Sequence, residues 1–119
     1  MYYTTERGEN VRSKSELIIA NMLNKYDIPY QYEAKLVLSG GKVIYPDFTI
    51  LNVSKRKTVY WEHLGLVSEI DYAEKNYLKL INYEKNDIIL GDNLIVTMEL
   101  GGVALDTELV KRKIEMFLL

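Results

Sequence analysis

The sequence predicts an α/β fold in which a mixed central sheet is flanked by helices. Three observations point to it. Residues 13–26 place apolar side chains at helical spacing behind a capping signature. Two β-forming runs flank the turn Ser39-Gly40-Gly41. A further strand-like run, "DNLIVTMEL", stands alone between two helical segments. The order is helix, three-strand meander, helix, strand, helix (α-β-β-β-α-β-α), which implies a sheet with helices packed on it.

Each element has its own signal. The first helix runs from Ser13 to Tyr26 and stops at the Asp27-Ile28-Pro29 turn. "YQYEAKLVL" and "KVIYPDFTI" form the hairpin around Ser39-Gly40-Gly41. The polar turn "NVSKRK", Asn52 to Lys57, leads to a third strand, "TVYWEHL". The second helix spans about Ser68 to Lys85, and "DNLIVTMEL" follows the Gly91 turn as the fourth strand. The closing helix, about Asp106 to Phe117, carries Leu109, Val110, Ile114, Phe117 and Leu118 on one side.

No repeat or linker divides the 119 residues, which are 48% hydrophobic and so form one domain, 1–119, with a core of its own. Fifteen Lys and Arg against 17 Asp and Glu give a net charge of −2, unlike a protein held on nucleic acid by bulk electrostatics. With no cysteine and one histidine, thiolate and His-rich metal sites are excluded. A metal here would be a carboxylate-bound ion such as Mg²⁺, Mn²⁺ or Ca²⁺. The polar start "MYYTTERGEN" has no signal-peptide core and no run is long enough to span a membrane, so the expected location is cytoplasmic.

Three carboxylates stand out. Ser13-x-x-Glu16 reads as a capping box, but Glu16 shares a helical face with Ile19, Ala20 and Leu23 and should point towards the sheet. Asp47 follows Pro46, which cannot donate to a ladder, so an edge or bulge there would re-aim the next side chain; the alternative is a solvent-facing Asp beside Tyr45 and Thr49. Glu62 lies in "VYWEHLG" with Tyr60 and Leu64 on its own face and Val59, Trp61 and His63 on the other. Both faces look covered, and Glu is a poor strand former. Asp47 and Glu62 belong to strands joined by a short turn, so they can meet on one face, and the first helix, if packed over that face, adds Glu16. Three such acids repel unless protonated or bridged by a cation, which a divalent metal would supply.

The chain from about Val11 to Met98 resembles the PD-(D/E)XK nuclease superfamily, with its restriction-endonuclease-like fold. The residues that carry the resemblance are "VRSKSE", "YPDFTI" and "YWEHLG": an acid on the first helix, Pro46-Asp47, and Glu62 one strand later. They are similar to an uncharacterised bacterial branch of that superfamily. The resemblance implies a metal-dependent nuclease hydrolysing phosphodiester bonds in nucleic acid, with DNA the expected substrate. Asp47 and Glu62 would hold Mg²⁺ or Mn²⁺, Glu16 would complete the metal shell or orient water, and the backbone carbonyl of His63 would be a further ligand. The imidazole of His63, on the opposite strand face from Glu62, reads as a satisfied core group.

One position departs from the pattern. The family's catalytic lysine lies two residues after the acid, and here that residue is Leu64. The second helix offers a substitute. Ile70, Ala73, Tyr77, Leu80 and Ile81 make its apolar stripe, and Tyr72, Asn76, Lys79 and Tyr83 make a second stripe about 120° round. Lys79 is the expected displaced lysine, with a solvated surface lysine as its alternative and Lys14 as the second candidate. Arg12, Lys14 and the turn "SKRK" are candidates to hold phosphates beside the site, and "SKRK" reads equally as a solvated turn. The competing reading is a nuclease-fold module that binds nucleic acid or serves in assembly without cutting. The small size leaves specificity to a homodimer or a larger partner.

Overall fold

A computed structural model describes residues 1–65, 70–101 and 103–119. Its first helix, α1 (Lys14–Lys25), starts where the sequence asks: the Ser13 side chain accepts from the Glu16 N–H. It ends at Tyr26, and Asp27 then turns the chain with φ 57°, a left-handed conformation that Asp tolerates better than most residues. Before it, β1 (Tyr3–Thr4) and β2 (Asn10–Val11) pair as a small antiparallel ribbon.

The two runs expected to form one long hairpin are each broken in two. The first becomes β3 (Tyr30–Tyr32) and β4 (Leu36–Val37), separated by Glu33 at φ 50°. The second becomes β5 (Val43–Ile44) and β6 (Phe48–Asn52), separated by Tyr45-Pro46-Asp47. β4 and β5 pair only with each other, as a separate hairpin. The physical reasons are local: Glu33 cannot stay in the β region at that φ, and Pro46 has no N–H for a ladder.

The main sheet has the order β3-β6-β7-β8, where β7 is Lys57–Leu64 and β8 is Leu94–Met98. β3, β6 and β7 form an antiparallel meander, and β8 joins β7 in parallel after α2, described over Ile70–Lys85. The expected start of that helix at Ser68 lies outside the described residues. α3 (Thr107–Phe117) closes the chain behind an Asp106 cap. The sheet is therefore mixed, with three helices among the described residues.

Each face of the sheet has its own apolar cluster. Phe48, Ile50, Val59 and Trp61 pack with Ile19, Ala20 and Leu23 of α1 and with Val110, Ile114 and Leu118 of the α3 end. Burial of side chains this size contributes about 1.5–3 kcal/mol each. The alternate residues Leu64, Leu94 and Val96 pack with Tyr83 of α2 and with Leu38 and Ile44 of the small hairpin, against which Tyr60 also lies. On α3, Val110, Ile114 and Leu118 face inward as expected, while Leu109 is exposed. No helix among the described residues is long and apolar enough to cross a membrane.

Candidate active site

The pairing of β6 with β7 runs from Asn52–Lys57 to Phe48–Trp61 and stops there. The next residues on the two strands are Asp47 and Glu62, and Pro46 lies just beyond. Side chains replace the ladder at this point. The Asp47 N–H donates to Glu62 Oε1 at 3.2 Å, and the His63 N–H donates to Asp47 Oδ2 at 2.7 Å. Each acid thus satisfies a backbone donor beside the other acid, which fixes both carboxylates on the α2 face of the sheet.

Glu62 is only 2% exposed, so its charge needs partners. Lys79 Nζ donates to Glu62 Oε2 at 2.7 Å, and the Tyr83 hydroxyl donates to Glu62 Oε1 at 2.6 Å. Both come from α2, one turn apart. Tyr83 is fully buried and stacks on Tyr60 at 6.4 Å between ring centroids, which holds its hydroxyl in place. Burial raises the Tyr83 pKa, as does the Glu62 charge, so the phenol remains a donor. Asp47 is pushed up to about 8, first by burial and then by the negative charge of Glu62; the His63 N–H and the Lys79 ammonium act in the opposite direction.

Glu16 takes a different position. It is buried at the start of α1, where its Oε1 accepts from the Ser13 hydroxyl at 3.0 Å and its Oε2 from the Tyr32 hydroxyl at 3.1 Å. The burial matches the sequence reading, but α1 packs over the face opposite Asp47 and Glu62. Glu16 adds only a minor upward push to the Asp47 pKa. Among the described residues no three His, Cys, Asp or Glu side chains converge as a metal-sized cluster. Asp47 and Glu62 are each bonded to the other's strand, and Glu62 also to Lys79 and Tyr83, while Glu16 acts on Asp47 through its charge alone.

The His63 imidazole lies on the Trp61 face of β7 and is satisfied there. Trp61 Nε1–H donates to Thr97 Oγ1 at 3.1 Å, and the same hydroxyl is hydrogen-bonded to His63 Nδ1 at 2.8 Å. Glu99, whose carboxyl pKa is lowered against the effect of burial by this contact among others, accepts from His63 Nε2–H at 2.9 Å and from the Ser15 hydroxyl at 2.8 Å, both through Oε1. This network pins the backbone whose N–H holds Asp47.

The predicted basic residues are scattered. Arg12 is exposed and its single Nε–H is shared between both oxygens of Glu33 at 3.0 Å, and Lys14 is exposed on α1. Neither lines the cleft above the acids. The "SKRK" turn lies at the far end of β7, five residues or roughly 16 Å from Glu62 along the strand, and Lys57 there pairs with Asp92. It does not flank the site. On α2 both stripes divide along the helix: Ile70, Tyr72, Ala73 and Tyr77 are exposed, while Asn76, Lys79, Leu80 and Ile81 are half-buried and Tyr83 is buried.

The acids form the floor of a cleft of about 690 Å³. The small hairpin supplies one wall through Lys42, Ile44 and Tyr45, and α2 supplies the other through Tyr72, Lys75, Asn76 and Lys79. Sequence reasoning missed the hairpin wall, since nothing in "SGGKVIY" signals that the hairpin leaves the main sheet. It also named Tyr83 only as a member of a stripe, although a tyrosine at i+4 from Lys79 on the same face was the available sign.

No family model and no solved structure matches the chain. A stretch of 72 residues, 60% of this chain, is 38% identical to part of Uncharacterized protein MJ1519 of Methanocaldococcus jannaschii, of which it covers 6%. The chain is thus similar to a small segment of a far longer archaeal protein.

Proposed function

We propose that this chain is a metal-dependent nuclease with the PD-(D/E)XK, restriction-endonuclease-like arrangement, hydrolysing phosphodiester bonds in nucleic acid, DNA being the expected substrate. The observation that carries the reading is the Asp47–Glu62 pair, cross-bonded where the β6–β7 ladder ends and faced by Lys79. The order α1-β3-β6-β7-α2-β8 supports the same reading, with the β4–β5 hairpin inserted between the first two strands of the meander.

The residues suit a hard divalent cation. Two carboxylates are held side by side, and burial together with the charge of Glu62 pushes the Asp47 pKa up. Asp47 and Glu62, with the backbone carbonyl of His63, would hold Mg²⁺ or Mn²⁺. Such an ion, when bound, supplies a water of lowered pKa and polarises a phosphoryl oxygen. The protein does the rest. Tyr83 and the Asp47 N–H orient Glu62, the His63 network orients Asp47, and Lys79 brings a positive charge from α2 to Glu62. As the scissile P–O bond breaks, that ammonium offsets charge on the phosphate. Glu16 acts here as a structural acid that steadies α1 against Tyr32.

A second reading, a nuclease-fold module that binds nucleic acid or assembles with a homodimer mate or larger partner without cutting, is favoured by one observation. Every Glu62 oxygen is already engaged by a protein donor. Mn²⁺ titration calorimetry separates the two, run on the wild type and on Asp47→Ala/Glu62→Ala, alone and with a phosphorothioate oligonucleotide. Metal binding lost in the variant, with Mn²⁺-dependent cleavage by the wild type, supports the nuclease. Absence of binding in both conditions supports the non-cutting module.

A further inference from the structure

We propose that the cleft above Asp47 and Glu62 takes single-stranded nucleic acid, with unpaired bases stacked on Tyr45 and Tyr72 and phosphates met by Lys42 and Lys75. The cutting rests on the nuclease reading above; the binding does not.

The acids are recessed. Glu62 lies at the floor of a cleft whose walls are the small hairpin and α2, so a phosphodiester must enter between the walls to reach it. A single strand bends freely about each phosphate and can be threaded there. A base-paired backbone is held on a stiff helix and cannot bend locally about one phosphate to follow it into the recess.

The rim residues favour the same ligand. Tyr45 is 53% exposed and Tyr72 49% exposed, one on each wall, and neither ring belongs to an apolar cluster. Two exposed aromatic rings facing one cleft form a stacking surface that accepts any base, because every base has a π-face. Lys42 and Lys75 stand beside them, and among the described residues neither makes an ion pair. With Lys79, the cleft has three ammonium groups against two carboxylates, although the chain as a whole is at −2. Local cations with aromatics, on a protein lacking a basic surplus, match single-strand binding better than duplex binding by bulk electrostatics. Asn76 adds a donor. Its Nδ2 is buried without a protein partner among the described residues, and Asn76 lines this cleft.

The test is fluorescence anisotropy of the full chain in EDTA with labelled oligo-dT, oligo-rU and a blunt DNA duplex of equal length, followed by cleavage of the DNA probes in Mn²⁺. The expected result is tighter binding of a single strand than of the duplex. Tyr45→Ala and Tyr72→Ala should each weaken single-strand binding roughly 5- to 100-fold, whereas Tyr45→Phe and Tyr72→Phe keep it. Binding of oligo-dT alone, oligo-rU alone or both supports the inference and says which sugar the cleft accepts. Duplex binding as tight as single-strand binding overturns it, as do alanine variants that bind like the wild type. Mn²⁺-dependent cutting of duplex with no single-strand preference overturns this inference and leaves the nuclease standing. Tyrosine-dependent single-strand binding with no cutting does the reverse.

Discussion

Replacing Asp47 with asparagine keeps the shape of the site and removes its titration. The side-chain oxygen of Asn can still accept the His63 N–H, which Asp47 Oδ2 receives at 2.7 Å, and no volume is lost. The Asp47 pKa rises from 3.8 to about 8, with burial the main cause and Glu62 the second. The folded state therefore binds this proton more tightly than the unfolded chain does. The stabilisation from the proton is whole below about pH 4 and is lost progressively as the pH rises through 8, with a limiting slope of about 1.4 kcal/mol per pH unit. Between pH 5 and pH 7 the wild type should lose roughly 2–3 kcal/mol relative to Asp47→Asn, a relative shift of order 1–2 M in urea midpoint. Glu9 and Glu99 are shifted below their ordinary range, so their contributions are lost only at more acid pH. They also cancel in the difference. Urea unfolding of both proteins at pH 5, 6, 7 and 8 measures this. A stability difference that stays flat across that range, or that grows in favour of the wild type as pH rises, would show that Asp47 is ionised throughout and would refute the reasoning. The same samples with Mn²⁺ at a hundredfold over its dissociation constant should regain about 3 kcal/mol in the wild type only.

Three other substitutions test the parts of the site. Lys79→Met removes the cation from Glu62; loss of one partner of a buried pair costs about 3–5 kcal/mol, and because Lys79 is itself 30% exposed the expected loss is near 2 kcal/mol, read from urea midpoints at pH 7, together with loss of metal-dependent cleavage. Tyr83→Phe keeps the ring stack on Tyr60 but deletes a donor to a charged acceptor, so thermal and urea unfolding should report a loss of about 1.5–3 kcal/mol; an unchanged stability would mean that Glu62 Oε1 finds another donor. Leu64→Lys in the Lys79→Met background returns an ammonium to the strand, two residues from Glu62 on the same face, and should recover part of the Mn²⁺-dependent cleavage measured on a labelled single strand. That lysine enters the cluster around Leu38, Ile44 and Tyr83, so the double variant should also be less stable than Lys79→Met.

Local rules read much of the fold from the sequence. The capping residue Ser13 and the Asp27 turn bracket α1 to within a residue, because both ends are set by side chains next to the break. The antiparallel partnership of β6 and β7 was likewise available from the short Asn52–Lys57 connection. The strand breaks were less visible. Pro46 announced its own, but Glu33 at φ 50° carries no signal in its residue type. Glu16 was placed correctly as buried, and its partner was not. Helical periodicity tells which side of α1 faces the sheet, yet not which face of the sheet α1 covers, and that choice decides whether Glu16 joins the other acids or meets Tyr32.

The largest departure, the exposed first half of the apolar stripe of α2, is also the most informative. By apolar periodicity Ile70, Ala73 and Tyr77 should be buried, and instead Asn76, Lys79 and Tyr83 turn inward. Glu62 accounts for this. A carboxylate 2% exposed in the middle of β7 needs charged and hydrogen-bonding partners, and an uncompensated buried charge costs more than the few kcal/mol returned by burying Ile70 and Tyr77. Lys79 and Tyr83 are the α2 residues that meet the need, and they turn inward beside the half-buried Leu80 and Ile81. Local consistency between pattern and fold is what sequences specifying only a structure tend to show, and violations concentrate where the chain does something else. Tyr72 lies two turns before Lys79 on the same stripe and lines the same cleft while 49% exposed, which is why the proposed stacking on its ring and the Lys79–Glu62 pair can be tested by separate substitutions.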